Sequence, residues 1–151
     1  MRRKDRELSE EKAWEILKEG TYGVLSMSNS DIPYGVPISY SVYERYIYFH
    51  CAIEGKKSDF IDKNNNISFC VVTKSIIDPV KFTVYYESAI VTGKAEKLSN
   101  LEDKREALSN FTESISPGSK EQVASYPDKV FNKLNMYKMS VDKITGKANY
   151  E

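Results

Sequence analysis

One short segment of the sequence combines the residue types that bind a phosphate group. Gly55, Lys56, Lys57 and Ser58 follow a strand-like stretch and precede a short helix. A helix N-terminus offers unpaired N–H groups and a favourable dipole to anions, while the lysines add charge and the serine a hydroxyl donor. The segment predicts a site for a phosphate monoester, and a solvated basic turn is the alternative. It is not a Walker A loop, because the upstream glycine is absent.

A single histidine limits the mechanisms open to the chain. His50 is the only histidine, and Cys51 and Cys70 are too few and too far apart for a CxxC site. Zinc sites built on Cys and His therefore lack ligands, and we expect no metal site and two buried cysteines. A Ser-His-Asp or Cys-His mechanism would need His50 as its base. We interpret His50 as the candidate catalytic residue because it titrates near neutral pH, with a satisfied strand histidine as the alternative.

A proline within a strand-like segment marks a second candidate site. Residues 33–42 read as a strand that contains Pro37, which indicates an edge, a bulge or an interrupted ladder. Backbone groups that Pro37 leaves unpaired could meet the polar edge of a planar heterocycle. The alternative is an edge proline that prevents aggregation.

The elements that must position these residues are mostly strands. Helices are predicted after Ser9, Gly55 and Asn100, and a weaker helical stretch ends at Leu134. Strands are predicted at 22–28, 33–42, 45–51, 67–73, 83–98 and 136–150. Six strands joined mostly by short turns predict a mainly β fold, a small antiparallel barrel with flanking helices.

Composition is that of an ordinary globular protein. The 151 residues are most simply one domain, 1–151, and 22 basic residues balance 22 acidic ones. Zero net charge argues against a broad polyanion-binding surface, so we expect no nucleic-acid partner. No apolar stretch is long enough for a membrane span or a signal peptide, so we expect no membrane partner and a cytoplasmic location. Eleven tyrosines suit half-buried strands and the interface of a homodimer.

The order of these segments resembles the pyridoxamine 5'-phosphate oxidase-like family of flavin proteins, and within it the 5-nitroimidazole-resistance branch. The resemblance runs from about Arg2 to Lys147 and depends on an ordered set of short segments rather than on one motif. The segments are Val36-Pro37, Tyr48-Phe49-His50-Cys51-Ala52, Gly55-Lys56-Lys57, Ser68-Phe69-Cys70-Val71, Tyr86 to Gly93, and Ile144-Thr145-Gly146-Lys147.

The resemblance implies a six-stranded antiparallel split β-barrel that forms a homodimer, with FMN in clefts at the subunit interface. Carried over position by position, it implies four groups of cofactor-binding residues. The flavin ring would be lined by Val36, Pro37, Ile38, Ser39 and Tyr40, and the ring or ribityl chain would be flanked by His50, Cys51 and Ala52. The phosphate would be bound by Lys56, Lys57 and Ser58. The place where the partner subunit approaches the flavin would be marked by Glu87 and Ser88. Cys51 stands where a serine is common, which puts one hydroxyl hydrogen bond in doubt.

The function expected from the residues and the resemblance is that of an FMN-dependent oxidoreductase. It would act on a small, planar, electron-poor substrate, in the manner of a flavin reductase or nitroreductase, and 5-nitroimidazoles are one candidate. Flavin chemistry explains why no catalytic triad or carboxylate pair is present. Pyridoxamine phosphate oxidation is disfavoured, because only Lys143 and Lys147 stand where an Arg-rich pattern would be expected. The alternative is a non-catalytic flavin- or haem-binding module, with His50 as the haem ligand; a purely structural barrel would leave the lysine pair unexplained.

Overall fold

The computed structural model describes residues 2–150 of the chain. Within them, a 3-10 turn at Lys4–Arg6 precedes eight strands and five helices. The strands are β1 (Glu7–Leu8), β2 (Tyr22–Asn29), β3 (Ile32–Ser39), β4 (Ser41–Tyr43), β5 (Tyr46–Ala52), β6 (Asn66–Asp78), β7 (Thr83–Lys97) and β8 (Leu134–Asn149). The helices are α1 (Glu10–Glu19), α2 (Lys56–Lys63), α3 (Leu101–Ile115), α4 (Lys120–Ala124) and α5 (Asp128–Phe131).

The strands form one antiparallel sheet that curls without closing. The strand order is β3-β2-β6-β7-β8-β5-β4, and the short β1 pairs with β8. Strands β3 and β4 are the two edges, so the barrel is split between them. The expected mainly β split barrel is confirmed, and β1 and β4 are additional to the six predicted strands.

The predicted strand at 33–42 is divided at Tyr40. The Tyr40 ring is buried in the core, where it packs edge-on against Phe69 at 4.7 Å, and its hydroxyl donates to the carbonyl oxygen of Leu17 in α1. This anchorage takes Tyr40 out of the ladder and separates β3 from β4. Pro37 lies in the edge strand β3, which confirms the edge interpretation of that proline.

The β7–β8 pair forms a long ladder that bends near its middle. The pairing register shifts between Thr92 and Gly93. A Cβ atom at Gly93 would lie 1.8 Å from the Ser140 carbonyl oxygen, so only glycine permits this approach. Such an irregularity increases the local twist, which lets one sheet wrap around its own core.

Two apolar clusters lie on opposite sides of β5. The inner cluster fills the barrel and includes Phe49, Cys51 and Tyr137. The outer cluster lies under helix α3 and joins Phe111 to Met136 of β8. Alternating side chains of one strand therefore serve two environments, the barrel interior and the layer beneath α3.

The helices begin where the sequence predicts. Ser9 Oγ accepts from the Lys12 N–H at 3.2 Å, and Asn100 Oδ1 accepts from the Glu102 N–H at 2.8 Å. The weaker helical stretch forms the two short helices α4 and α5. Among residues 2–150 no helix has the length and apolarity that a membrane crossing requires, and the cytoplasmic location stays a prediction.

Candidate functional site

The turn between β5 and α2 opens onto a small cleft. Gly55 has φ 142° and ψ 166°, a conformation that is essentially restricted to glycine, and it supplies no side-chain cap to α2. The first N–H groups of α2 therefore have no side-chain acceptor, as an anion site requires. The cleft has a volume of about 160 Å³, and its lining residues are Tyr34, Cys51, Ala52, Glu54, Gly55, Lys56, Lys57 and Ser58.

Two lysines bring positive charge to this cleft. The Lys56 ammonium lies 4.3 Å from the centroid of the Tyr34 ring and 5.5 Å from that of Phe60, so aromatic faces hold it in place. Lys57 is half-buried. Within the part of the chain that the structure describes, neither lysine is in an ion pair. Their charge is therefore free to bind an anion.

The Ser58 side chain lies beneath the turn rather than at the mouth of the cleft. It is buried, its Oγ lies 3.3 Å from Cys51 Sγ, and it accepts from the Asn135 amide at 3.1 Å. The hydroxyl therefore differs in placement from the phosphate donor that the sequence suggested. The Cys51 thiol takes part in this contact and also faces the barrel interior.

Asn135 is a polar residue that the sequence reasoning missed. It is buried in β8 and pairs with Cys51 across the ladder. A sequence signal was present, because an amide stands beside the apolar Met136 and Tyr137 in the buried first part of β8. A buried amide needs hydrogen-bond partners, so such a position points to a polar contact that is local to the fold.

His50 lies on the outer face of β5, opposite to Cys51. Its ring packs edge-on against Phe111 of α3, with centroids 5.0 Å apart, and the side chain keeps access to solvent. Partial burial lowers the pKa of His50, and the charge of Lys57 lowers this pKa further. His50 does not line the cleft, but it lies close enough to Lys57 to sense its charge.

Only part of the predicted ring-binding strand can offer side chains to a ligand. The inward-facing residues are Val36, Ile38 and Tyr40, and the outward-facing residues are Pro37 and Ser39. Burial raises the pKa of Tyr40 well above its usual range. Ile38 and Tyr40 are core residues, so the side-chain contacts expected of them are closed to a ligand outside the barrel.

Glu87 and Ser88 face opposite sides of β7. The Glu87 carboxylate is buried and pairs with the Lys74 ammonium at 2.8 Å, and this hydrogen bond lowers the pKa of Glu87. The Ser88 hydroxyl lies on the outer side and donates to the Lys147 carbonyl oxygen at 3.3 Å. The two residues therefore cannot present their side chains to one ligand.

Ser88 is also far from the cleft at the start of α2 in its own chain. Lys97, at the other end of β7, pairs with Asp62 of α2 at 2.8 Å. Lys97 lies nine positions after Ser88, which is about 30 Å along a strand. The structure thus brings Lys56, Lys57 and the end of β5 together, and it leaves Glu87 and Ser88 at a different end of the molecule.

A row of apolar side chains crosses the outer face of the sheet. Pro37 pairs with Val24, Val24 with Cys70, and Cys70 with Ile90. Directly paired residues lie on the same face of a sheet, and Val24 and Ile90 are 40% and 49% exposed. We call these four residues the outer row. Contiguous exposed apolar surface of this kind is typical of a contact with another molecule.

Comparison with known proteins gives the arrangement a context. No curated protein matches the sequence. A 5-nitroimidazole antibiotic resistance protein from Bacteroides thetaiotaomicron VPI-5482, so described provisionally, superposes with a TM-score of 0.82 at 23% identity over 94% of this chain and 86% of that one. Flavocytochrome Anf3 from Azotobacter vinelandii superposes with a TM-score of 0.82 at 19% identity, over 95% of this chain and 68% of that one. A FAD-binding protein from Mesorhizobium loti gives 0.72 at 20% identity, over 97% of both chains.

These identities show a shared fold and no more. The sequence itself matches the family described as pyridoxamine 5'-phosphate oxidase over residues 9–148. That match spans every strand from β2 to the penultimate residue of β8, and it includes the cleft at the start of α2 and the outer row. The chain therefore belongs to the pyridoxamine 5'-phosphate oxidase family.

Proposed function

We propose that this protein binds FMN and uses it to reduce a small, planar, electron-poor substrate, as a homodimer in which both subunits complete each flavin site. The observation that carries the proposal is the cleft at the start of α2 in a chain of zero net charge, where Lys56 and Lys57 form no ion pair with any residue among 2–150. Structures of the same fold support a flavin, since they are described as FAD-binding, as a flavocytochrome, and as a FAD and haem binding protein.

The cleft fits a phosphate monoester. Two ammonium groups and the uncapped N-terminus of α2 supply charge-assisted donors for phosphate oxygens. The cleft volume of about 160 Å³ is below the roughly 300 Å³ at which small-molecule pockets begin. The phosphate can therefore sit in the cleft while the ribityl chain and the ring extend across the surface, towards Pro37 and Ser39.

The redox step belongs to the flavin, and the residues of this chain bind, orient and supply protons. Bound FMN would carry the hydride or electron transfer to the substrate. The lowered pKa of His50 keeps its imidazole neutral near pH 7. The charge of Lys57, which lines the proposed phosphate cleft, contributes to this lowering. The neutral ring can accept a proton at the flank of the proposed flavin site, and its protonated form, which is favoured at lower pH, can donate one.

The second subunit is proposed from the exposed apolar surface. The outer row includes Pro37, one of the two outward-facing residues of the ring-binding strand. The β6–β7 hairpin adds Ile77, Val80 and Phe82, which are 74%, 83% and 94% exposed. A second copy that covers this surface would bury the flavin ring. Ser88 of the partner subunit would then lie near that flavin, whereas Ser88 of the chain that binds the phosphate is too far away.

The decisive binding experiment compares FMN with riboflavin, which lacks the phosphate. We expect the purified protein to show flavin absorption and to prefer FMN. Lys56→Ala with Lys57→Ala should weaken FMN by at least about tenfold, the loss expected for charge-assisted hydrogen bonds, and leave riboflavin unchanged. Lys129→Ala with Lys133→Ala removes the same charge at an exposed site and is the matched control. Equal losses for both ligands would contradict a phosphate site.

Catalysis is tested by reoxidation of the reduced protein without oxygen. Nitroaromatic compounds, quinones and flavins are mixed in turn with the photoreduced, FMN-loaded protein. We expect at least one class to reoxidise the bound flavin faster than it reoxidises free FMN. If none does, the protein binds flavin without turnover.

A haem- and flavin-binding module is the second candidate, because the exposed His50 ring offers an axial ligand on the outer face of β5. The visible spectrum separates the two. A Soret band that disappears in His50→Ala would favour the haem module. The lysine pair argues for the flavin site instead, because haem has no phosphate that these lysines could bind.

A further inference from the structure

One buried side chain holds residues 53–58, the turn that carries Lys56 and Lys57, against the sheet. Asn135 of β8 donates to the Ile53 carbonyl oxygen at 3.0 Å and to Ser58 Oγ at 3.1 Å. Ile53 lies just before Gly55, and Ser58 lies in the first turn of α2. A single amide group therefore fixes both ends of the segment that carries Lys56 and Lys57.

The Ser58 hydroxyl connects the same turn to strand β5. Its Oγ lies 3.3 Å from Cys51 Sγ and 3.5 Å from the Ala52 carbonyl oxygen. Asn135 and Cys51 are themselves paired across the β5–β8 ladder. The turn is thus held against two neighbouring strands by a buried polar network, and such a network is rigid when its members are satisfied.

We propose that Asn135 is a positioning residue for phosphate binding. Asn135 does not contact the 5'-phosphate, but it sets the affinity for that group by positioning the turn that binds it. The inference rests on the proposed function, because it assumes that the phosphate lies at Lys56 and Lys57. It also gives Ser58 a different role from that of a phosphate ligand, since its hydroxyl is committed to the network beneath the turn.

The geometry explains why the effect should be confined to the phosphate. Asn135 is paired with the inward-facing Cys51, whereas Pro37 and Ser39 lie on the outer face of β3. Gly55 reaches its conformation without a neighbouring side chain to brace it, because no atom lies within 4 Å of its Cβ position. Without Asn135, the turn loses the contact that aligns its N–H groups and lysines, while the surface proposed for the ring is unchanged.

The test measures dissociation constants for FMN and riboflavin, together with competition by inorganic phosphate against FMN. Asn135→Ala should weaken FMN by about tenfold, the effect of losing buried hydrogen bonds, and raise the inhibition constant of phosphate by a similar factor. Riboflavin should bind within about twofold of the wild type. A residue with only a structural role would weaken both flavins together.

Asn64→Ala is the matched control, because it releases the other end of the same helix. The Asn64 amide donates to the Ser28 carbonyl oxygen at 3.1 Å, on the side of α2 away from the cleft. We expect this variant to lower the melting temperature while the ratio of FMN to riboflavin affinity stays that of the wild type.

Ser58→Ala keeps the inference testable if Asn135→Ala does not fold. It should show the same loss for FMN alone, and in the double variant the two losses should be less than additive, as for residues of one network. An unchanged ratio of FMN to riboflavin affinity in both single variants would overturn the positioning role. A wild-type protein that shows no preference for FMN would instead overturn the phosphate site itself.

Discussion

The charges of His50 and Lys57 are coupled to each other. Partial burial beside Phe111 and the positive charge of Lys57 both lower the pKa of His50. The folded protein therefore holds the imidazole neutral in a pH range where the unfolded chain binds a proton. The stability that this provides is present above pH 6.5, and it is lost as the pH falls through the pKa of the folded state.

A bound phosphate should reverse part of this effect. A phosphate monoester carries a charge of about −1.5 to −2 at pH 7, so FMN should raise the pKa of His50 relative to the ligand-free protein. Riboflavin should leave it unchanged. The only histidine gives a single pair of imidazole C–H resonances, and a proton NMR titration follows them without residue assignment. Lys57→Ala should raise the pKa of His50 in the ligand-free protein, and Lys18→Ala should not; no change in Lys57→Ala would contradict the coupling.

Residue types at the site were predictable from sequence, but side-chain directions were not. The lysine pair and the glycine turn follow from local spacing. Alternation shows that Ser39 and Tyr40 face opposite sides, yet it does not reveal which side is the core. Asn135 was missed because its partner Ser58 lies 77 positions away, so the contact depends on β5 and β8 being neighbours in the sheet.

At the scale of elements, the turn before α2 depends on a backbone conformation that only glycine adopts readily. Gly55→Ala should lower the free energy of unfolding by about 1–3 kcal/mol, which corresponds to about 2–4 °C in melting temperature per kcal/mol. The same change should weaken FMN more than riboflavin. Thermal denaturation and flavin titration measure the two effects.

Gly118→Ala is the control for this substitution. Gly118 also has a positive φ, 90°, with no atom within 4 Å of its Cβ position, but it lies in the turn between α3 and α4. It should cost stability and leave the preference for FMN intact. If it weakened FMN as Gly55→Ala does, the turn at Gly55 would have no special part in phosphate binding.

Local patterns predicted most elements, and long-range pairing accounts for the rest. The helix caps at Ser9 and Asn100 are local signals and are confirmed. Strand β6 continues to Asp78, beyond the predicted end at Thr73, because residues 74–78 pair with 83–87 of β7. This hairpin extension reads Lys-Ser-Ile-Ile-Asp, in which charged ends flank two β-branched residues, and its pairing with β7 settles it as a strand.

At the scale of the whole molecule, the outer row should be the contact between two copies. Ile90→Lys places a charge in the middle of this apolar surface, and burying an unpaired charge is costly. Sedimentation should show a dimer for the wild-type protein and a monomer with weakened flavin binding for Ile90→Lys. Ile115→Lys, at an exposed position of α3 outside the row, should stay dimeric. A wild-type monomer that binds FMN with full affinity would contradict the shared site.

The length of the β7–β8 ladder has a genetic consequence. Because Lys57 and Ser88 are far apart in one chain, each proposed flavin site would draw them from different chains. A Lys57→Ala allele and a bulky Ser88→Phe allele should then complement each other when both are expressed in one cell. Each mixed dimer would hold one doubly defective site and one intact site, so random pairing under two-fold symmetry restores about a quarter of the sites. Two inactive alleles would together give an active, flavin-loaded population.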